Sequence, residues 1–415
     1  MRILEGAKRD RYVHGLEKRG ASDLAKAEAT ARRIVNDVRS RGDRALRKYA
    51  VRWDGLGKRE AMRVPEVEMR EAWEKTDPDL RNAIAQAAEN IRRYCEWQKP
   101  QEWRREIEPG VVVGQLVRPL DSVGCYVPGG RYPLPSTLLM TVIPAQVAGV
   151  LQIRVVSPKP AQVTLGAAAF LGVKEFYRVG GAQAIAALAY GTKSIPRAEK
   201  IVGPGNHYVT AAKKLVAFDC AIEFLAGPTE AVVISERGNP AWIAADLVAQ
   251  AEHDPDALGV FIATSRVLAR TVQKEVEQRT QANPVARKSL SRRGAILLAT
   301  SLEEAVEIAN RIAPEHLTLP GALAPTVKNA GSVFLDEFTP QAAGDYGSGP
   351  NHVLPTGGMA RVRGGLSVTD FLRVISCQLV SGQGVHRIAP AAIALAEAEG
   401  LKAHAESLRT RGMHA

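Results

Sequence analysis

The chain has 415 residues, 46% hydrophobic and 24% charged, an ordinary globular composition long enough for two or more domains. Its net charge of +11 lies partly in mixed stretches such as KREAMR and QEWRREIEPG, read as amphipathic helices; with aromatics at 5% and no nucleic-acid motif, it describes a solvated basic surface that also attracts anionic cofactors. Cys95, Cys125, Cys220 and Cys377 form no CxxC pair, against a disulfide framework or cysteine-rich zinc site, and no apolar run is long enough for a signal peptide or membrane span, so a cytoplasmic location is expected.

From 21 to 97, apolar residues recur at three- and four-residue spacing between charges, as in AKAEATARRIVNDVRSRGDRALRKYAVRW, and predict helices. DPDLRNAIAQAAENIRRYCEWQ repeats the pattern behind an Asp-Pro-Asp start signal. GVVVGQLVRPLDSVGCYVPGG then switches to short β-rich runs. Strands in LQIRVVSP, KEFYRVGG and KIVGPG alternate with helices in AQVTLGAAAFLG and AQAIAALAYGT, the pattern of a parallel sheet with right-handed crossovers. A second series follows: AVVIS, the helix PAWIAADLVAQAEHD, LGVFIATS, a charged helix, GAILLAT, the helix SLEEAVEIANRIA and the strand SVFLDEF. GDYGSGPNHVLPTGG, residues 344–358, carries five glycines and two prolines and reads as an irregular loop; the tail from 368 to 411 reads as helices.

The fold expected is α/β: two doubly wound Rossmann-like sheet units, with no GxGxxG fingerprint, framed by a helical N-terminal region and a helical C-terminal tail. The domain boundaries expected are 1–20 for an N-terminal helical segment, 21–125 with 229–366 for a first α/β domain, 126–228 for a second, NAD-side domain, and 367–415 for the tail.

Three glycine turns follow predicted strands, YVPGG, VGGAQ and VGPGN, and each sets a polar residue beside small ones at a strand's carboxyl end: Tyr126, Gln183 and Asn206. Open α/β sheets bind ligands at such ends, so the three describe a cofactor cleft. QAEHD puts Gln250 and His253 three apart on a predicted helix face. With Asp345 on the glycine loop and His404 on the tail helix they make an oxygen-and-nitrogen set suited to Zn²⁺ or a similar cation, if they converge. APEHL is the sharpest acid/base candidate: Glu315 and His316 follow a proline at a helix end, and a carboxylate beside an imidazole can tune it or handle a second proton. A helix-end histidine stabilised by the dipole is the bland alternative.

YVPGGRYPLPSTLLM, VGGAQAIAALAYGT, KIVGPGNHYVTAAK, AGPTEAVVIS, AADLVAQAEHDPDA, APEHL, GDYGSGPNHVLPTGG and EGLKAHAES occur in an order and spacing that resemble histidinol dehydrogenase over nearly the whole chain. That resemblance implies oxidation of L-histidinol through histidinal to L-histidine with two NAD and one zinc per subunit. It implies zinc ligands Gln250, His253, Asp345 and His404, the acid/base pair Glu315 and His316, and Tyr126, Gln183 and Asn206 beside NAD. Substrate contacts would come from Thr229, Gln250, His253, His316, Asp345, Glu399 and His404, with His352 nearby. It also implies a homodimer with exchanged tails. Thr229 stands where many members carry Ser and keeps the hydroxyl; FLRVISCQLVSGQG is the most divergent segment, and it leaves open a related dehydrogenase acting on another polar alcohol, such as a sulfonated diol. Glu399, five residues before His404, favours histidinol. A basic nucleic-acid-binding protein would not need the ligand set, and a cysteine-based aldehyde dehydrogenase would have Cys125 as its one tempting nucleophile, with no adjacent base.

Overall fold

The computed structural model describes residues 1–19, 24–129 and 132–412. The chain opens with strand β1 (Arg2–Leu4) and helix α1 (Gly6–Glu17). Four helices follow: α2 (Leu24–Arg41), α3 (Asp43–Trp53), α4 (Glu66–Glu74) and α5 (Pro78–Gln98). The pair β2 (Trp103–Glu108) and β3 (Val111–Pro119) leads into β4 (Ser122–Tyr126), α6 (Pro135–Ala148), β5 (Gln152–Val156) and α7 (Gln162–Phe170). Next come β6 (Glu175–Tyr177), α8 (Gly181–Tyr190), β7 (Lys200–Val202), α9 (His207–Val216) and β8 (Ala221–Ile222). The second series is β9 (Glu230–Ser235), α10 (Pro240–Ala251), β10 (Leu258–Ala263), α11 (Arg266–Arg279), α12 (Pro284–Arg292) and β11 (Ala295–Leu298). It continues through α13 (Leu302–Ile312), β12 (His316–Leu319), β13 (Ser332–Leu335) and α14 (Gln341–Tyr346). Strand β14 (Leu372–Val380) and helices α15 (Gly382–Ala398) and α16 (Lys402–Gly412) close the chain.

The protein is α/β with two parallel sheets, of five strands ordered β6-β5-β4-β7-β8 and of six ordered β1-β11-β10-β9-β12-β13. Side chains alternate across each sheet, and both faces are covered. In the larger sheet Val232, Ile234, Val260, Ile262, Leu297 and Leu317 pack under α1 and α13, while Val233, Phe261, Ala263 and Ile296 pack under α10, α11 and α12. In the smaller sheet Val123, Cys125, Val155 and Phe176 face α4 to α7, and Tyr126, Val156 and Ile201 face α2, α3, α8 and α9. Burial on both faces is why these strands read as nearly continuous apolar runs. Helices α2 to α5 therefore pack with the five-stranded sheet, whereas the sequence reading grouped 21–125 with 229–366.

Several local expectations change. The N-terminal segment is not all helix, because β1 pairs in parallel with β11. KREAMR lies in the loop between α3 and α4. QEWRREIEPG forms β2, an exposed edge strand whose charges suit an unpaired edge and imitate an amphipathic helix in sequence. In the tail, nine residues form β14, fully paired with β3 in an antiparallel sheet ordered β14-β3-β2. Its β-branched Val374, Ile375 and Val380 fit a pleated surface, and a long-range partner decides the matter.

One buried ion pair shapes the turn after β7. Gly203 has φ +113°, and a Cβ there would stand 2.0 Å from the Tyr126 carbonyl oxygen, so only glycine fits. Its N–H donates to Glu223 Oε1 (2.8 Å), while Lys213 Nζ donates to the Gly203 carbonyl (3.1 Å) and to Glu223 Oε1 (2.6 Å). Lys213 and Glu223 are both buried, so removing one partner strands the other charge. Glu223→Ala is expected to cost about 3–5 kcal/mol of stability, read from urea unfolding at neutral pH. An unchanged midpoint would refute the clamp.

Candidate active site

In the six-stranded sheet the chain runs β9, β10, β11 to one side and then returns to place β12 on the other side of β9. His316 is thereby paired with Ala231, and the residues entering the two strands, Thr229–Glu230 and Glu315–His316, lie side by side. These are amino ends of strands. The turns after β4, β6 and β7, by contrast, lie at carboxyl ends of the five-stranded sheet, as expected; Gly130 of the first turn is outside the described residues. A cleft of about 820 Å³ is lined by both parts: Thr229, Gln250, His253, Glu315, His316, Asp345 and His352 meet Thr137, Pro204 and Ala226.

Helix α13 ends on Ala313 in a left-handed conformation, φ +51°, which turns the chain through Pro314 into β12. Glu315 and His316 are buried there. Glu315 Oε2 accepts the Glu230 backbone N–H (2.8 Å). Burial pushes the Glu315 carboxyl up to about 7, against the opposing pull of His316 and the hydrogen bonds of Thr229 and Glu230. His316 Nδ1 lies 3.2 Å from the Glu230 carbonyl oxygen, which can only accept, so Nδ1 carries a proton and Nε2 faces Asp345 Oδ1 at 3.4 Å. Burial alone would lower the imidazole, but Glu315 and Asp345 outweigh it and hold it above its ordinary range. Phe334 of β13 stacks on the ring, centroids 5.8 Å apart.

Asp345 is not on an irregular loop. It sits in α14, a short helix that tolerates Gly344 because a Cβ there would strike the Phe334 ring. Its Oδ2 accepts from Gln250 Nε2 (2.9 Å), and Gln250 Oε1 accepts from the Thr229 hydroxyl (3.1 Å). Burial would raise the Asp345 carboxyl, yet His316, His352 and Gln250 hold it below its usual value. His253 lies beyond the end of α10, past Ala251, so it does not share a helix face with Gln250; it is exposed at the cleft. His352 Nδ1–H donates to the Asp345 carbonyl (2.7 Å), its Nε2 is 3.2 Å from Thr137 Oγ1, and burial lowers its pKa.

Other expected residues stand apart from this cleft. Tyr126 and Gln183 are buried behind the glycine turns: Tyr126 Oη accepts the Gly181 N–H (3.1 Å), and Gln183 Nε2 donates to Asp54 Oδ2 (3.0 Å), which also accepts the Gly180 N–H. Asp54, at the end of α3, went unforeseen, since nothing in AVRWDG marks it as buried. Asn206 is exposed and caps α9, its side chain accepting from the Tyr208 and Val209 amides. Glu399 and His404 are exposed on the tail and do not line the cleft in the same chain. Among the described residues no three His, Cys, Asp or Glu side chains converge as a metal cluster. The carboxylate of Asp345, the amide of Gln250 and the imidazole of His253 still share one wall, a mixed oxygen-and-nitrogen donor set of the kind zinc takes.

A family model described as histidinol dehydrogenase matches residues 17–412. The chain is 46% identical over 416 residues to the histidinol dehydrogenase of Methanothermobacter thermautotrophicus, covering 97% of both chains. It is also 46% identical to that of Aquifex aeolicus, over 95% of both. A crystal structure of histidinol dehydrogenase from Elizabethkingia anophelis superposes with a TM-score of 0.94 at 34% identity, covering 99% of this chain and 98% of that one. The chain belongs to the histidinol dehydrogenase family. The family match runs through both sheets, the cleft and the tail, so Glu315, His316 and their neighbours sit on a histidinol dehydrogenase framework.

Cys125 lies wholly buried in β4, and burial pushes its thiol up to about 12, so it is protonated at neutral pH and shielded from substrate. Cys125→Ala is expected to retain at least about half of the wild-type turnover. Measuring NADH formation on histidinal with folded Cys125→Ala checks this; abolished oxidation would restore the cysteine-based reading.

Proposed function

We propose that the protein oxidises L-histidinol through L-histidinal to L-histidine, the last steps of histidine biosynthesis, in the reducing cytoplasm. The observation that carries the reading is the buried Glu315–His316 pair facing Asp345 and Gln250 in a cleft within a chain of this family. Two molecules of NAD would accept the two hydrides, one each, and zinc would be held by Gln250, His253, Asp345 and His404 of the partner subunit and would supply charge that orients the substrate's nitrogens.

His316 in its neutral form, with Nδ1–H committed to the Glu230 carbonyl, takes the hydroxyl proton on Nε2 as the carbinol hydride leaves, and Asp345 Oδ1, 3.4 Å from Nε2, stabilises the cation formed. Glu315, raised toward neutrality by burial, takes a proton from the water that adds to the aldehyde. As the hydrate forms, His316 returns its proton to the former carbonyl oxygen, and it then takes a hydroxyl proton from the hydrate as the second hydride leaves. Thr229, Gln250, His253, Asp345 and Glu399 of the partner subunit hold the substrate, and the enclosed cleft keeps the aldehyde from side reactions. In this reading the doubly wound unit built on the five-stranded sheet receives NAD, with Tyr126, Gln183 and Asn206 beside it. The two buried ones act by fixing the turn after β6.

With excess NAD, each L-histidinol is expected to yield two NADH and one L-histidine. One NADH per substrate, or turnover on another polar alcohol alone, would overturn the assignment.

The arm β14–α15–α16 supports an exchanged homodimer. Glu399 and His404 sit outside their own chain's cleft, and Val374, Ile375, Leu379, Leu395 and Leu401 expose apolar surface along the arm. A mixed dimer of one His253→Ala chain and one His404→Ala chain then collects both defects in one site and leaves the other whole. Isolated through two affinity tags, it is expected to recover about half of the wild-type activity, given independent sites. A mixed dimer as inactive as its parents would exclude exchange.

A further inference from the structure

Both acid/base side chains are held by the backbone of one residue. The Glu230 N–H donates to Glu315 Oε2 at 2.8 Å, and the Glu230 carbonyl accepts from His316 Nδ1 at 3.2 Å. Whatever fixes Glu230 therefore fixes the carboxylate orientation and the imidazole tautomer together. Glu230 points its own side chain away from the cleft, where it is buried. There the guanidinium of Arg19 grips it with a two-pronged pair, Nε to Oε1 at 2.6 Å and Nη2 to Oε2 at 2.7 Å. Gly357 of the glycine-rich loop adds its N–H to Oε1 at 3.0 Å.

Arg19 also reaches the chain entering β12. Its Nη2 donates to the Ala313 carbonyl at 3.3 Å, on the left-handed residue two positions before Glu315, and Nη1 donates to the Leu16 carbonyl at 2.7 Å. One planar cation from the end of α1 thus ties together the entries to β9 and β12. Those are the two segments that present Glu315 and His316. A lysine has no fork with which to make the same set of bonds.

We propose that Arg19 and Glu230 form a positioning brace that holds Glu315 and His316 in their working orientation from behind the cleft. The brace deepens the function argued above and rests on it for its kinetic consequence. Neither residue touches substrate; both act through the Glu230 backbone. A second cavity of about 400 Å³, lined by Arg19, Glu230, Tyr12 and Gly357 and adjoining the cleft at Ala226, Gly227 and Thr356, gives small ions a route to the pair.

The test uses the full-length protein with Arg19→Ala and Arg19→Lys. Misorientation of about an ångström is expected to lower kcat about 100-fold in Arg19→Ala, with KM for L-histidinol and NAD within about twofold of wild type. Guanidinium ion at low millimolar concentration is expected to restore part of the lost turnover, while methylammonium does not. Arg19→Lys, which keeps the charge and loses the fork, is expected to fall between. A kcat within about twofold of wild type in Arg19→Ala, or a loss that guanidinium leaves unmoved in both variants, overturns the brace. A second measurement needs no substrate: imidazole ¹⁵N NMR, with His316 assigned by comparison with His316→Gln. Recorded above the raised pKa of His316, at about pH 10, it is expected to show Nδ1–H in the wild type and a mixture of tautomers in Arg19→Ala. Identical His316 signals overturn the brace even if the substrate is another alcohol, whereas wild-type failure on L-histidinol with shifted His316 signals counts against the substrate alone.

Discussion

The arrangement depends on one constraint: an acid and an imidazole are buried side by side where water cannot solvate their charges. Glu315 and His316 each lie below a tenth of their free exposure, so each must find partners in the protein. They find them in the Glu230 backbone, in Asp345 and in each other. Burial raises the carboxyl toward neutrality, and the surrounding carboxylates keep the imidazole ready to hold a proton. A pair poised this way can accept and return protons near pH 7, which an alcohol oxidation followed by aldehyde hydration requires.

That pair can exist because of strand order. β12 inserts beside β9 after the chain has laid down β10 and β11 on the other side, so two strand entries distant in sequence become neighbours. The cleft then faces the amino ends of the six-stranded sheet and the carboxyl ends of the five-stranded one. Binding at the carboxyl ends of open sheets is the usual rule, and here it describes one wall of the cleft. The other wall is made by strand entries whose backbone groups are free to hold side chains. Gln250, in the last turn of α10, and Asp345, on the short helix α14, meet at that same edge through the Gln250–Asp345 hydrogen bond.

Around this edge the polar groups are nearly all committed. Gln250 spans Thr229 and Asp345, and His352 holds the backbone of Asp345. Such a network orients its members because moving one leaves a buried partner unpaired. The tail is different in kind. β14 completes a three-stranded antiparallel sheet, and Leu395 on α15 and Leu401 just before α16 are exposed in the single chain.

By itself, the sequence determined the alternation of strands and helices, the glycine turns at strand ends, the family likeness and the acid/base candidates in APEHL. All of these are written in local periodicity or contiguous motifs. Tertiary structure decided the pairing of β14 with β3, the edge-strand role of β2 and the packing of α2 to α5 on the five-stranded sheet. Each depends on a partner many residues away, which periodicity does not encode. It also decided that Asp345 rides a helix, that Asp54 turns Gln183 inward and that Arg19 reaches Glu230 across 211 positions of sequence. No spacing announces such contacts, because a hydrogen bond's worth is set by burial, and burial is a property of the folded whole.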